Sequence, residues 1–232
     1  MNIRAAIHVV LIVILALGSA RTFGAERPET PHLVFVTEFV RELAAVEDIR
    51  KDGEKELKQD PGSTFSSMIH TGTLYELEIG SEIKTLNGMH LNDPFDKLIP
   101  TITGFYEWKI VAWKQMVALG GDFMGGPKPG VDYGKLSAEM PQIRARLDYV
   151  DQSIFKATPL VCETLIDLRP DSKNHTSHLI ITKAERAELI DTINISFGKE
   201  INEENPNYTV SSAKLLKEFL LKDFKSSDEP WE

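Results

Sequence analysis

After Pro31, apolar residues recur at steps of three and four along most of the chain, and no stretch shows the alternation of a half-buried strand. From Leu33 to about Lys58, the residues Val36, Phe39, Val40, Leu43, Val46 and Ile49 share one helical face, and Asp60 to Ser63 (DPGS) supplies a turn. A second helix is predicted from about Ser63 to Asn87, its apolar face running from Phe65 through Met68, Tyr75, Ile79 and Ile83 to Leu86. Asn87-Gly88 offers a left-handed stop. A third begins at Pro94, capped by Asn92-Asp93, and reaches Gly120-Gly121; Pro100 within it predicts a kink or a new start. Its polar positions, Asp96, Thr103, Glu107 and Lys114, form a narrow stripe, so the helix is expected to be surrounded by others.

The stretch from Gly120 to Leu136 carries too much Gly and Pro for regular structure and reads as a long loop, of the kind that serves as a lid or partner-binding segment. A fourth helical region, from near Ser137 to Leu168, places Ile143, Leu147, Val150, Ile154, Val161, Leu165 and Leu168 on a seam broken only by Thr158. Pro159 there predicts a kink or a restart. Thr182 and Glu185 form a capping box for a fifth helix ending near Lys199, and a final amphipathic helix spans Ser212 to Phe224. The pattern therefore predicts an all-α fold, a single-domain antiparallel bundle of about five to seven helices over residues 31–225, followed by an acidic tail at 226–232.

The N-terminus departs from this pattern. Arg4, an apolar run from Ala5 to Leu17, and Gly18-Ser19-Ala20 have the order of a secretory signal peptide, with cleavage expected after Ala20 and a flexible linker over 21–30. The run is shorter than the roughly 20 apolar residues of a spanning helix, so no stable membrane insertion is expected after cleavage. Export to a periplasmic or extracellular location follows as the expectation. Removing the leader takes one of the 26 Lys and Arg and none of the 35 Asp and Glu, leaving a net charge of −10. Such a chain suits neither nucleic acid nor anionic lipid, where Lys and Arg carry the binding. A single cysteine, Cys162, rules out an internal disulfide and reads as a core residue. About 210 remaining residues are enough to bury a stabilising core without one.

His175 and His178 are the candidate metal ligands, three apart in a polar connection before the fifth helix. No His-Glu-x-x-His, Glu-x-x-His or paired cysteines accompany them, which favours a polar loop. His70 neighbours the apolar face of the second helix and is expected to be buried. Gly134-Lys135 is followed by Leu136 and preceded by Pro129 where a phosphate loop needs Ser or Thr and Gly. Asp148 and Asp151 can share a helical face, and a solvated surface is the plainer reading. Tyr106, Trp108 and Trp113, with Phe105, cluster on the third helix; aromatics on a buried helix are core by default, and these are the candidates for lining a small-molecule pocket. No cofactor is indicated. The expectation is an exported, non-enzymatic binding or interaction module with a protein or small-molecule partner. A metal-dependent enzyme built on His175 and His178, and a carrier with an aromatic pocket, are the alternatives.

Overall fold

The structure is a computed structural model that describes residues 30–59, 64–91, 94–124, 129–130, 132–168, 177–204 and 206–230. The predicted leader and linker, His175, and the middle of the Gly-rich stretch lie outside the described residues. Among those described, the fold is all-α: α1 (Pro31–Gln59), α2 (Thr64–Asn87), α3 (Leu98–Met124), α4 (Tyr133–Glu163), α5 (Lys183–Phe197) and α6 (Tyr208–Leu220), with a 3₁₀ turn at Glu200–Asn202. None of these helices is long and apolar enough to cross a membrane.

The predicted faces are the buried ones. Val36, Phe39, Val40, Leu43, Val46 and Ile49 of α1 enter a core cluster to which all six helices contribute, through residues such as Ile79, Ile102, Val161, Ile193 and Leu216. A smaller cluster joins Ala112, Met116 and Leu119 of α3 to Ile143 and Leu147 of α4. α2 lies between α1 and α3, α3 leads to α4, and α6 packs on α4 and α1, so the first four helices and the start of α6 surround a common space.

Boundaries differ from the sequence pattern for identifiable reasons. α3 starts at Leu98, which puts Pro100 in its first turn, where no backbone donor has an intrahelical partner to lose. It also continues through Gly120-Gly121, neither of which has the positive φ seen at Gly130 and Gly198. α4 begins four residues early, where Asp132 accepts from the Lys135 amide at 3.0 Å, and runs unbroken through Pro141 and Pro159. Both prolines are exposed. Thr158, the polar residue in the seam, donates to the Ile154 carbonyl at 3.0 Å and is thereby satisfied in the core. α2 ends at Asn87 as predicted but not through a left-handed Gly88: that amide bonds the Thr85 carbonyl, and the Asn87 side chain accepts from Thr103 on α3.

The capping box is present in both directions, Glu185 N–H to Thr182 Oγ1 at 3.2 Å and Thr182 N–H to Glu185 Oε2 at 2.7 Å. Arg186, in the first turn of α5, donates to the carbonyls of Leu220, Lys222 and Phe224 and so caps the end of α6. Residues 226–230, expected as a loose acidic tail, are tied to the start of α5. The Ser227 amide bonds the Ile181 carbonyl, Asp228 accepts from the Lys183 amide, and Glu229 pairs with the Lys183 ammonium. The acidic side chains are held where the helix N-terminus favours negative charge.

Gly72 marks a close approach of α2 to α3: a Cβ there would stand 2.3 Å from Val117 Cγ2. Gly72→Ala is expected to cost about 1–3 kcal/mol by forcing the helices apart, read as a lower urea midpoint with unchanged slope. Adding Val117→Ala restores most of the loss.

Candidate functional site

The space enclosed by α1, α2, α3, α4 and the start of α6 is a cleft of about 600 Å³. Its apolar wall comes from Val46 and Ile49, Met68, Trp113, Leu147 and Phe155, one or two residues from each of the four long helices. Heptad spacing explains which α3 residues reach it. Trp113 follows Ile99 and Tyr106 on one line, Lys109 lies between Ile102 and Met116 on the next, and both lines face inward.

The polar groups of the cleft are largely paired with one another. Lys109, whose side chain is 5% exposed, forms an ion pair with Asp151 of α4, and its ammonium sits 5.1 Å from the centre of the Tyr75 ring. Tyr75 stacks on Trp113 with ring centres 5.7 Å apart. Arg50 grips the buried Glu47 with two donors, Nε bonding Oε2 at 3.0 Å, and also reaches Glu54. The bonds to Glu47 hold the guanidinium pKa above its ordinary value. Asn207 caps α6 by accepting from the Val210 amide at 2.9 Å, and its amide nitrogen donates to the same Glu47 carboxylate at 2.9 Å. One side chain thus starts α6 and fixes it to α1. Gly53 and Thr71 make the α1–α2 wall close, since a Cβ at Gly53 would lie 2.9 Å from Thr71 Oγ1.

Three polar atoms near this site have no hydrogen-bond partner among the described residues: the Tyr75 hydroxyl, the Trp113 indole N–H and, deeper in the core, the Tyr106 hydroxyl. Burial pushes both phenols well above their ordinary pKa, with Asp151 adding most at Tyr75 and Glu42 at Tyr106. Glu42 itself is fully buried on α1, both carboxylate oxygens lacking a hydrogen-bond partner among the described residues. Burial, then the charges of Glu82 and Glu38, hold its pKa well above the carboxylate range, and Lys109 opposes them.

The three aromatic pocket candidates separate. Trp113 lines the cleft, Tyr106 is enclosed in the core, and Trp108 is 64% exposed on the opposite side of α3. Trp108, Val111 and Tyr149 border a second groove of about 550 Å³ between α3 and α4. Trp108 falls on the line Thr101, Trp108, Gln115, whose outer members are polar and exposed, so its outward placement was readable from spacing. His178 is fully buried, not part of a solvated loop. It lies in an irregular crossing where residue 178 pairs with Lys225, Ile166 pairs with Leu179, and its carbonyl accepts from the Asp167 amide. No group of three or more His, Cys, Asp or Glu that could hold a metal occurs among the described residues. His70 is exposed, 3.7 Å from Glu56, which corrects the expectation that it is buried. Cys162 is buried as expected, and burial pushes its thiol pKa up to about 12.

Asp148 and Asp151 do not act as a couple: Asp151 is committed to Lys109, while Asp148 lines the cleft, exposed and without an ion pair among the described residues. Sequence reasoning missed Lys109 and Glu42, charged residues whose neighbours seven positions away are apolar, and Glu47. In comparisons with protein-family models, curated proteins and solved structures, nothing matches the chain.

Proposed function

We propose that the protein is an exported, non-enzymatic binding protein whose ligand seat is the cleft between α1, α2, α3, α4 and the start of α6. The observation that carries this reading is the lining: a small-molecule-sized concavity with an aromatic and aliphatic wall built by four helices. Export rests on the apolar leader with its small residues before Arg21. Binding is favoured over turnover because Lys109 and Arg50, the cations of the cleft, are committed to carboxylates. Such pairs hold a shape and leave no free amine or activated nucleophile.

Native mass spectrometry of the processed protein tests both parts. The expected result is a chain that starts at Arg21 and carries a small organic molecule of one mass. Met68→Trp, which fills the cleft from α2, is expected to weaken binding by at least about tenfold, the change that a 1.4 kcal/mol clash produces, and so to lower the occupancy. A bound species that survives Met68→Trp at full occupancy would place the ligand elsewhere.

A further inference from the structure

Trp108, Val111 and Tyr149 are 64%, 54% and 57% exposed, and all three border the second groove, on the outer side of α3 and α4. α2 and α6, the other neighbours of this helix pair, contribute nothing to its lining. The face also lacks the acidity of the chain as a whole, which has 35 Asp and Glu against 26 Lys and Arg. Steps of three and four through Trp108, from Thr101 to Ala118, and through Tyr149, from Ala138 to Leu160, meet no carboxylate. Glu107 and Asp148, which precede Trp108 and Tyr149, are turned about 100° away on their helices. Glu139 borders the neighbouring groove, seven positions before Arg146. Among the described residues lining the Trp108 groove, Arg146 is the one charged group, and it donates to Gln115 of α3 at 3.2 Å. Trp, Tyr and Arg are the residue types on which binding energy between proteins concentrates, in patches depleted of other charge.

We infer that this face is the contact between two copies of the chain, related by a twofold axis that crosses α3 and α4 at Val111 and Tyr149. The Lys109–Asp151 and Arg146–Gln115 bonds set Val111 level with Tyr149, with Trp108 nearly one turn to one side and Arg146 nearly one turn to the other. Turning a second copy about that axis lays each Trp108 indole over the Arg146 guanidinium of the other copy, a ring-on-cation contact made twice. It also brings Val111 beside its own counterpart, as a self-complementary contact requires. The dimensions suit a stable dimer. α3 has 27 residues, a length of about 40 Å, and a helix pair is about 20 Å wide, so the face offers about 800 Å² per copy, the size of a standard interface. Two copies of an acidic chain repel each other where carboxylates meet, and along these two helix lines none do. No residue lining this groove lines the cleft, so the dimer and the ligand seat are independent.

Sedimentation of the whole processed protein tests the contact. Twice the chain mass is expected at micromolar concentration, and Trp108→Asp is expected to weaken the dimer at least about tenfold, as loss of a central aromatic anchor does. The side chain is mostly exposed, so this variant keeps the helical circular dichroism of the wild type. Raising the salt should tighten the wild-type dimer, because screening relieves repulsion between two acidic copies and no ion pair spans the contact. Val111→Cys, oxidised with diamide, is expected to give a disulfide-linked pair. Ile195→Cys on α5, a position 84% exposed, is not, and the native Cys162 is buried. A monomer at high micromolar concentration overturns the inference and leaves the face to a different protein. A dimer that Trp108→Asp does not weaken and Val111→Cys does not cross-link overturns it too, by placing the contact elsewhere.

Discussion

Replacing Glu42 by leucine is expected to stabilise the protein by about 2 kcal/mol near pH 8, within the range seen when buried charged groups give way to apolar ones of similar volume. The carboxyl lies fully buried between α1 and its neighbours, both oxygens lack a hydrogen-bond partner, and Glu82 and Glu38 add repulsion. The pH dependence has a definite sign. Below the ordinary carboxylate pKa, Glu42 is neutral in both the folded and the unfolded chain. As pH rises, the unfolded chain ionises first while the folded chain keeps its proton, so the folded state binds more protons and stability falls. The decline ends only once the pH passes the raised folded value. Urea unfolding at pH 5.5 and pH 8 should therefore show a larger gain for Glu42→Leu at the higher pH. Glu42→Gln should flatten the slope but keep part of the penalty, because an amide there is still an unsatisfied polar group. A leucine variant less stable than the wild type at pH 8 would contradict the assignment.

Helix faces were legible because burial follows the period of the helix, and every apolar residue assigned to the first predicted face from Val36 to Ile49 is buried. Boundaries were less so, since they depend on single bonds. The final helix starts at Tyr208, not Ser212, because Asn207 is held between the Val210 amide and Glu47, a residue 160 positions away. The tail is anchored by Asp228 and Glu229 on α5, which no local pattern announces. Two predictors were available and outweighed. Phe35, Glu42 and Ile49 stand seven apart, as do Ile102, Lys109 and Met116, so both charged residues lie on buried lines. A charged residue on such a line is ordinarily a sign that the line is exposed. Here only the tertiary arrangement supplies a counter-charge, Asp151 paired with Lys109 and the Lys109 charge acting on Glu42. The cleft was half visible for the same reason: Trp113 could be named from α3 alone, but its partners Tyr75, Leu147 and Phe155 come from two other helices.

The Lys109–Asp151 pair is expected to give the largest losses when broken from one side, and a double-mutant cycle should recover most of them. Asp151→Leu leaves an ammonium that is 5% exposed without its counter-charge, and a cost of about 3 kcal/mol is expected, the lower end for a buried pair broken on one side. Lys109→Met leaves Asp151, whose side chain is 26% exposed and can draw on water, so a loss of about 1–2 kcal/mol is expected. In the double variant neither charge remains and an apolar contact bridges α3 and α4. Its stability should then exceed the sum of the single losses by at least about 1.5 kcal/mol, the scale of coupling between contacting residues. Strict additivity in urea unfolding would mean that the two groups do not depend on each other. The pair also sets the behaviour of Glu42, because Lys109 is the cation that opposes the rise in its pKa. In Lys109→Met the folded-state pKa of Glu42 should climb further, and the fall of stability with pH should extend to higher pH than in the wild type. A pH profile unchanged by Lys109→Met would show that the ammonium and the buried carboxyl of α1 act independently.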